Sequence, residues 1–350
     1  MLNKKDRFLG CLLGGAIGDA LGYPVEFMDI NAIHRHYGPN GITDLVCDEA
    51  TGKAIVSDDT QMTIFTAEGI LWADTRGRNR GICSYSSCVF YSYQRWLYTQ
   101  TGKVASKDYE WILNDETGPE YKSNLLQVGE LFHRRAPGNT CLSALTAATK
   151  QNYGTIEQHI NNSKGCGGVM RVAPVGLYFH KTPEQAFHVA CECAAITHGH
   201  PSGYLSAGVL AFIIAETVND VDLQSAALAA IKALRTYDGH GECLNILNKA
   251  IHLAEQNIDP YEAVTQLGQG WVGEEALAIS LYCALKYPND FHAALCLAVN
   301  HSGDSDSTGA ICGNILGAYL GTEGIPEHWL TTVELSEVIS SLSDALLKVT

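Results

Sequence analysis

Acidic side chains stand in two short clusters that are far apart in the chain. "VSDDTQM" contains Asp58 and Asp59, "GDSDSTG" contains Asp304 and Asp306, and each cluster precedes an apolar, helix-like run. A buried carboxylate without a partner is costly or takes up a proton, so carboxylates beside a core segment need a cation or many hydrogen bonds. Carboxylate and hydroxyl oxygens are ligands that suit Mg²⁺ or Mn²⁺. The two clusters therefore predict a divalent-metal site.

Helix capping is the simpler interpretation of either cluster alone. A Ser or Asp at an N-cap accepts backbone N–H groups, and acids in the first turn favour the helix dipole. Gln61, three residues after Asp58, would complete a capping box. The four carboxylates and their neighbouring hydroxyls nevertheless exceed what two caps need. If both helix starts meet over one pocket, a pair such as Asp304 and Asp306 could bridge two metals about 3.5–4 Å apart.

The composition indicates one large domain spanning residues 1–350. Hydrophobic residues make up 46% of the chain and charged residues 17%, and no linker rich in Pro, Ser or charge divides it. The net charge of −15 disfavours nucleic acid or an anionic membrane as the main partner. The twelve cysteines form no CxxC pair and predict free thiols in a reducing compartment, hence a cytoplasmic protein.

Two apolar stretches raise the question of a membrane. The start, with basic residues before the run Phe8–Ile17, also fits a signal peptide, although its glycines suit a packed helix equally well. A secreted protein therefore stays open as an alternative. The later run Tyr204–Val218 is shorter than the roughly 20 residues that cross a bilayer. We expect no membrane partner.

Helical periodicity dominates the rest of the chain. "LQSAALAAIKALRTY" places Leu223, Ala226, Ala227, Ala230, Ile231 and Leu234 on one stripe, and "EEALAISLYCALKYP" and "LSEVISSLSDALLKV" repeat the pattern. The strand-like segments "ITDLVC" and "KAIVS" are short. The sequence therefore predicts an all-α domain of many packed helices, with surface loops at 74–80 and 116–123.

Six motifs in a fixed order resemble the ADP-ribosylglycohydrolase family. They are "GAIGDALGYPVEF", "SDDTQM", "GGVMRVAP", "THGHP", "GWVGEEALA" and "NHSGDSDSTGAICGN", and the resemblance extends from about Phe8 to Gly321. The family includes the ADP-ribosylarginine hydrolases and the dinitrogenase reductase-activating glycohydrolases. The resemblance implies a compact, orthogonal multi-helix fold with a binuclear Mg²⁺ or Mn²⁺ site in a cleft.

The resemblance also implies roles for particular residues. One metal would be held by Ser57, Asp58 and Asp59, and the other by Asp304 and Ser307, with Asp306 bridging. Glu26 and Asp304 would be the catalytic carboxylates, whose proton-transfer roles the sequence does not apportion. The ADP-ribose would contact the glycine-rich loop and its surroundings, namely Gly165, Cys166, Gly167, Gly168, Met170 and His198. Many members have Asn-Gly where this chain has Cys166-Gly167, so a contact from that amide is absent.

The implied reaction uses two metal ions and removes ADP-ribose from a modified protein side chain, with arginine as the favoured attachment site. We expect the protein to be a monomer. Hydrolysis of an O-linked ADP-ribose by the same fold is an alternative, and so is a relative that binds ADP-ribose without turnover. A different two-metal hydrolase, such as a phosphoesterase, matches nothing else in the chain. His198 and His200 could equally serve helix ends, Trp271 could belong to the cleft wall or the core, and Arg171 could meet phosphate or pair with a carboxylate.

Overall fold

The computed structural model describes residues 3–114 and 123–350, and these residues form helices and connecting segments without a β-strand. The α-helices are α1 Lys4–Gly22, α2 Ile30–Tyr37, α3 Asp58–Arg80, α4 Tyr85–Thr101, α5 Asn139–Ala147, α6 Ala173–Tyr178, α7 Pro183–Ala195, α8 Pro201–Val218, α9 Leu223–Leu234, α10 Gly241–Glu255, α11 Pro260–Leu267, α12 Gly273–Lys286, α13 Phe291–Val299, α14 Ser305–Leu320, α15 Glu327–Thr332 and α16 Ser336–Val349. Short 3₁₀ helices cover Tyr23–Val25, Lys107–Asn114, Leu125–Gln127, Gly129–Phe132, Cys166–Gly168 and Thr322–Gly324. The prediction of an all-α fold is confirmed.

The helices α1 and α14 form the central crossing of the fold. Gly10, Gly14 and Gly18 of α1 face Gly317, Gly313 and Gly309 of α14, so the two helices run antiparallel. A Cβ atom on any of the three α1 glycines would lie within 2.5 Å of a carbonyl oxygen of α14. Backbones can approach this closely only because no side chain intervenes. The crossing therefore fixes the end of α1 beside the start of α14.

The helices predicted from apolar periodicity are present. In α9, the six residues of the predicted stripe are the buried ones, and Lys232 and Arg235 are exposed. The segment before Pro288 forms α12, and the C-terminal segment forms α16. Periodicity succeeds for α9 and α16 because each lies with one face on the core and the other in solvent, whereas α12 is buried over almost its whole length.

Among the described residues, two helices are long and apolar enough to cross a membrane by length and composition alone. They are Lys4–Val25 and Pro201–Val218, and 83% and 89% of their apolar windows are buried within the protein. Core helices of soluble proteins pass the same test. The burial of the first of these helices shows that the apolar run at the start of the chain forms a packed helix.

The loop predicted at 74–80 is wrong, because these residues form the last two turns of α3. Asp74 is buried, accepts a hydrogen bond from the Tyr178 hydroxyl at 2.9 Å and pairs with Arg78 one turn later. The helix ends at Gly81, which has a left-handed conformation. Tertiary contacts thus extend α3 through a segment whose polar composition favours a loop. Residues 116–122 of the other predicted loop lie outside the described residues.

The start of α3 differs in detail from the predicted capping box. Ser57 is the N-cap, and its Oγ accepts a hydrogen bond from the backbone N–H of Asp59 at 3.2 Å. The Gln61 side chain instead donates to the His133 carbonyl and accepts from Trp96 and Gln100. Gln61 is fully buried, so its amide is used in the core and is not available to the cap.

Candidate metal and ligand site

The first acidic cluster lies at the start of α3 and is held by backbone contacts with the segment 135–138. The backbone N–H of Asp58 donates to the Arg135 carbonyl at 3.2 Å, and Asp58 Oδ2 accepts from the backbone N–H of Gly138 at 3.2 Å. Asp58 and Asp59 are both buried. Their carboxylates therefore lie in a fixed position at the positive end of a helix dipole.

Asp19 supports this turn from behind, and the sequence analysis assigned it no role. Its carboxylate accepts from the backbone N–H of Ser57 at 2.9 Å and from the backbone N–H and hydroxyl of Thr60 at 3.1 and 2.5 Å. Asp19 is fully buried in α1, and burial raises its pKa to about 6 in spite of these hydrogen bonds. The signal that could have revealed it was a single carboxylate within the glycine-rich, apolar run 8–22.

The second acidic cluster lies at the start of α14. Asp304 is the N-cap and accepts from the backbone N–H of Ser307 at 3.3 Å, while its own N–H donates to the Gln269 carbonyl at 2.8 Å. Asp306 also accepts from the Ser307 N–H, at 2.8 Å. A Cβ on Gly303 would lie 1.9 Å from the Gln269 oxygen, so only glycine lets the chain enter this turn.

Glu26 joins the second cluster. It directly follows the short 3₁₀ helix Tyr23–Val25 that continues α1, so the crossing of α1 and α14 brings it to the start of α14. Oxygen atoms of Glu26, Asp304 and Asp306 all lie within 4.8 Å of one another. Three carboxylates at this separation could bind one cation together.

The charge of the acidic cluster is not compensated by hydrogen bonds alone. Glu26 Oε2 and Asp59 Oδ1 are buried and have no hydrogen-bond partner among the described residues. Burial, with repulsion from neighbouring carboxylates, raises the pKa of Glu26 to about 8. Burial also raises the pKa of Asp58 to about 8, and that of Asp59 and Asp306 well above the usual range. This donor set fits divalent cations, which would supply the missing positive charge.

Both clusters open onto one pocket with a volume of about 660 Å³. Small-molecule sites commonly measure roughly 300–1,000 Å³. The predicted site residues in its lining are Glu26, Asp58, Asp59, Gly165, Cys166, Gly167, Met170, His198, Asp304, Asp306 and Ser307. The hypothesis that two remote helix starts meet over one pocket is therefore confirmed.

Two of the predicted residues, Ser57 and Gly168, are not in the pocket lining. The Ser57 Oγ lies 3.5 Å from Asp59 Oδ2, directly behind the lining. Gly168 packs below the loop, where a Cβ would lie 2.8 Å from the Gly203 carbonyl oxygen. Both residues therefore lie next to lining residues and not in the lining itself.

The glycine-rich loop lies against the second acidic cluster. The Cys166 Sγ is 2.6 Å from Asp304 Oδ2, and the backbone N–H of Cys166 donates to the Trp271 carbonyl at 3.2 Å. Burial and the Asp304 carboxylate raise the pKa of the Cys166 thiol well above its usual range. The thiol thus contacts a carboxylate at the position where the family resemblance implies an amide.

The structure shows the surroundings of Trp271, His200 and Arg171, for each of which the sequence left two interpretations open. Trp271 lines the pocket, and its ring stacks on Phe27 with centroids 5.9 Å apart. His200 caps α8 by accepting from the Ser202 N–H at 3.1 Å. Arg171 is fully buried over the Tyr93 ring, 4.3 Å from its centroid. It is not part of the pocket lining, and its described contacts include no carboxylate.

Other pocket residues were missed by the sequence analysis. Phe27 lines the pocket and is 75% exposed, whereas Glu26, the residue before it, is buried. A further part of the wall, next to the first acidic cluster, comes from a segment that lies between the two clusters in the sequence: Arg134, Ala136, Pro137, Gly138, Asn139, Thr140 and Cys141. The Pro-Gly pair in this segment indicated a turn, but nothing in its composition tied it to the acidic clusters.

In this all-helical fold, carboxylates and a glycine-rich loop surround one pocket, an arrangement that suits a polar ligand. The model of the ADP-ribosylglycohydrolase family matches residues 1–350, and the chain belongs to this family. Membership supports ADP-ribosyl hydrolase activity.

Individual relatives agree with this assignment. The chain is 24% identical to the ADP-ribosylarginine hydrolase Tri1 of Pseudomonas putida over 97% of its length and 78% of the relative. It is 28% identical to the ADP-ribosylhydrolase ARH3 of Bos taurus, over 98% of this chain and 93% of the relative. A solved structure named ADP-ribosylglycohydrolase-related protein complex superposes with a TM-score of 0.65 at 24% identity, covering 99% and 98% of the two chains, and supports the fold.

Proposed function

We propose that this protein hydrolyses the N-glycosidic bond between ADP-ribose and an arginine side chain in modified proteins. The observation that carries the proposal is the convergence of five carboxylates and the glycine-rich loop on one pocket in a member of this family. The motif "GDSDSTG" and the similarity to a relative named an ADP-ribosylarginine hydrolase favour arginine as the attachment site. Free ADP-ribose would be one product.

Two Mg²⁺ or Mn²⁺ ions are the cofactors that suit the acidic cluster. Asp58, Asp59 and Ser57 would hold one ion and Asp304 and Ser307 the other, with Asp306 between them. The unpartnered oxygens of Glu26 and Asp59 support this assignment, because uncompensated carboxylate oxygen is what a hard cation binds. When bound, such ions orient a sugar diol and activate a water molecule.

The protein's own groups would then position the sugar and move protons. The water oxygen bonds to C1″ of the distal ribose, the bond from C1″ to the arginine nitrogen breaks, and a water proton ends on that nitrogen. Glu26 and Asp304 are the candidates for transferring this proton, since both line the pocket and both lie next to Asp306.

The diphosphate and adjacent ribose of ADP-ribose would lie along the glycine-rich loop. Gly165 and Gly167 contribute backbone without side chains, and Cys166, Met170 and His198 contribute the neighbouring surface. Gly168 would support this loop from below. The loop lies next to Asp304, so a ligand bound here would bring its distal ribose toward the carboxylates.

A panel of substrates tests the proposal. Purified enzyme with Mg²⁺ or Mn²⁺ should release ADP-ribose from an arginine-modified protein faster than from a serine-modified protein or O-acetyl-ADP-ribose. Asp306→Asn should abolish release. Asp344→Asn changes a half-exposed carboxylate on α16 that pairs with Lys5, and it should not abolish release. Preferential release from O-linked substrates would contradict arginine as the attachment site and support the O-linked alternative. Binding of ADP-ribose without release from any substrate would indicate a non-catalytic relative.

We further propose that the chain acts as a single catalytic domain, 1–350, in the form of a cytoplasmic monomer. Free cysteines, with no disulfide among the described residues, and the net charge of −15 support an intracellular location without a nucleic-acid or membrane partner. Size-exclusion chromatography with light scattering would test the monomer against its mass of 37.8 kDa.

A further inference from the structure

A chain of hydrogen bonds leads from the core to the pocket through Arg171, Thr197 and His198. Arg171 Nη2 donates to Thr197 Oγ1 at 2.7 Å, and the same Oγ1 lies 2.8 Å from His198 Nδ1. The side chains of Arg171 and Thr197 are fully buried, and His198 is 2% exposed. The His198 ring, in contrast, lines the pocket.

The opposite edge of the His198 ring faces the glycine-rich loop. A Cβ on Gly165 would lie 3.3 Å from His198 Nε2, and a Cβ on Gly167 would lie 3.0 Å from Cε1. Burial and the positive charge of Arg171 lower the pKa of His198 to about 3, so the imidazole is neutral at physiological pH. A neutral imidazole carries one N–H, and its position decides whether the pocket meets a donor or an acceptor.

We propose that Thr197 is a positioning residue that holds His198 in the tautomer with the proton on Nε2, so that the ring presents a neutral donor to an oxygen of the ligand along the glycine-rich loop. Arg171 can only donate, so one lone pair of Thr197 Oγ1 is used and the Thr197 hydroxyl proton is free to point to Nδ1. The charge of Arg171 also attracts the lone-pair side of the imidazole and directs the N–H away, toward the pocket.

The other tautomer has a specific cost. It would place the proton on Nδ1 and direct the Thr197 hydroxyl to the sulfur of Cys141, which lies close to both Thr197 and Arg171. Sulfur is a weak acceptor compared with an imidazole nitrogen. The pocket would then contain a further acceptor beside five carboxylates, which suits an oxygen-rich ligand poorly. The ligand part of this inference rests on the function proposed above.

Nitrogen-15 NMR of the histidine rings tests the tautomer without any activity. A long-range proton–nitrogen correlation spectrum of the full chain, with the His198 signals assigned by their loss in His198→Gln, should show Nε2 protonated and Nδ1 unprotonated. Thr197→Val should shift His198 toward a mixture of tautomers, and Thr197→Ser should restore the wild-type pattern. A wild-type spectrum with the proton on Nδ1 would overturn the proposal, as would an unchanged pattern in Thr197→Val.

Titration with ADP-ribose tests the role of the His198 tautomer in binding separately from the proposed function. Loss of one well-aligned donor should weaken ADP-ribose binding about tenfold in Thr197→Val, with recovery in Thr197→Ser. Unchanged affinity in Thr197→Val would overturn the role of the donor in binding. Absence of ADP-ribose binding to the wild type, with Nε2 protonated, would instead contradict the proposed function and leave the positioning role of Thr197 intact.

Discussion

Gly18 and Gly309 face each other across the crossing of α1 and α14, and a Cβ on Gly18 would lie 2.0 Å from the Gly309 carbonyl oxygen. This contact lies between the end of α1, which leads to Glu26, and the start of α14, which carries Asp304 and Asp306. The spacing of the two helices therefore sets the distance between the carboxylates of the site.

Gly18→Ala should destabilise the protein by at least about 2 kcal/mol, because the added methyl group must push two helix backbones apart. Gly241→Ala is the matched control, since a Cβ there meets nothing within 4 Å, and it should change stability by less than about 0.5 kcal/mol. Urea unfolding of both variants measures the difference. Equal stability of the two variants would contradict the close packing of this crossing.

The acidic cluster predicts how metal stabilisation depends on pH. Glu26 and Asp58 have pKa values of about 8 in the folded protein and lower ones when unfolded. Their contribution to stability without metal is thus greatest below about pH 4 and is lost as pH rises toward 8. Cations bind the ionised carboxylates and remove this penalty.

The gain in melting temperature on replacing chelator by Mn²⁺ should therefore be larger at pH 8 than at pH 5. Differential scanning fluorimetry at both pH values measures this gain, and taking the difference at each pH cancels groups remote from the cluster. Asp306→Asn should reduce the gain. A gain that is equal at both pH values, or larger at pH 5, would disagree with the raised pKa values.

Arg135 and Glu334 form a buried ion pair behind the first acidic cluster. Arg135 Nη2 lies 2.9 Å from Glu334 Oε1, and its Nη1 also donates to the Val56 carbonyl at 3.1 Å, just before Ser57. Glu334→Ala should cost about 3 kcal/mol, because it leaves a buried guanidinium without its partner. The double variant Arg135→Met/Glu334→Leu should recover part of this loss. Thermal unfolding of both variants measures these changes in stability. A double variant that is less stable than Glu334→Ala would contradict the unpaired guanidinium as the cause of the loss.

The contact between Cys166 and Asp304 predicts low thiol reactivity. Burial and the neighbouring carboxylate raise the pKa of Cys166, so little thiolate forms at pH 7.5. Iodoacetamide should label the exposed Cys47 more than about tenfold faster than Cys166 in the folded, metal-free protein. Peptide mass spectrometry follows both residues, and labelling in urea is the control that should equalise them. Faster labelling of Cys166 would show a thiol with a lowered pKa.

Sequence patterns predicted the elements whose local signals agree with their surroundings. The apolar stripe of α9 and the acidic residues at the starts of α3 and α14 are local features, and the structure contains all of them. The residues 74–80 were misjudged because their helical state depends on a remote contact from Tyr178. Local composition carries no information about such a partner.

The candidate site was predictable only in part for the same reason. The two carboxylate clusters predicted a divalent-metal site, but the role of Asp19 depends on the arrangement of α1 and α3 in space. The wall that contains Arg134 and Thr140 has no motif that resembles a binding element. Residues that act through backbone geometry or long-range packing leave only weak traces in a single sequence.

The most direct measurement of the central claim is ADP-ribose release from an arginine-modified protein by enzyme stripped of metal, before and after addition of Mg²⁺ or Mn²⁺. We predict no release in chelator, recovery with either ion, and no recovery for Asp304→Ala or Asp306→Ala. Release at the full rate by the chelated enzyme, or wild-type activity in either variant, would contradict the assignment of the acidic cluster as a metal-dependent hydrolytic site.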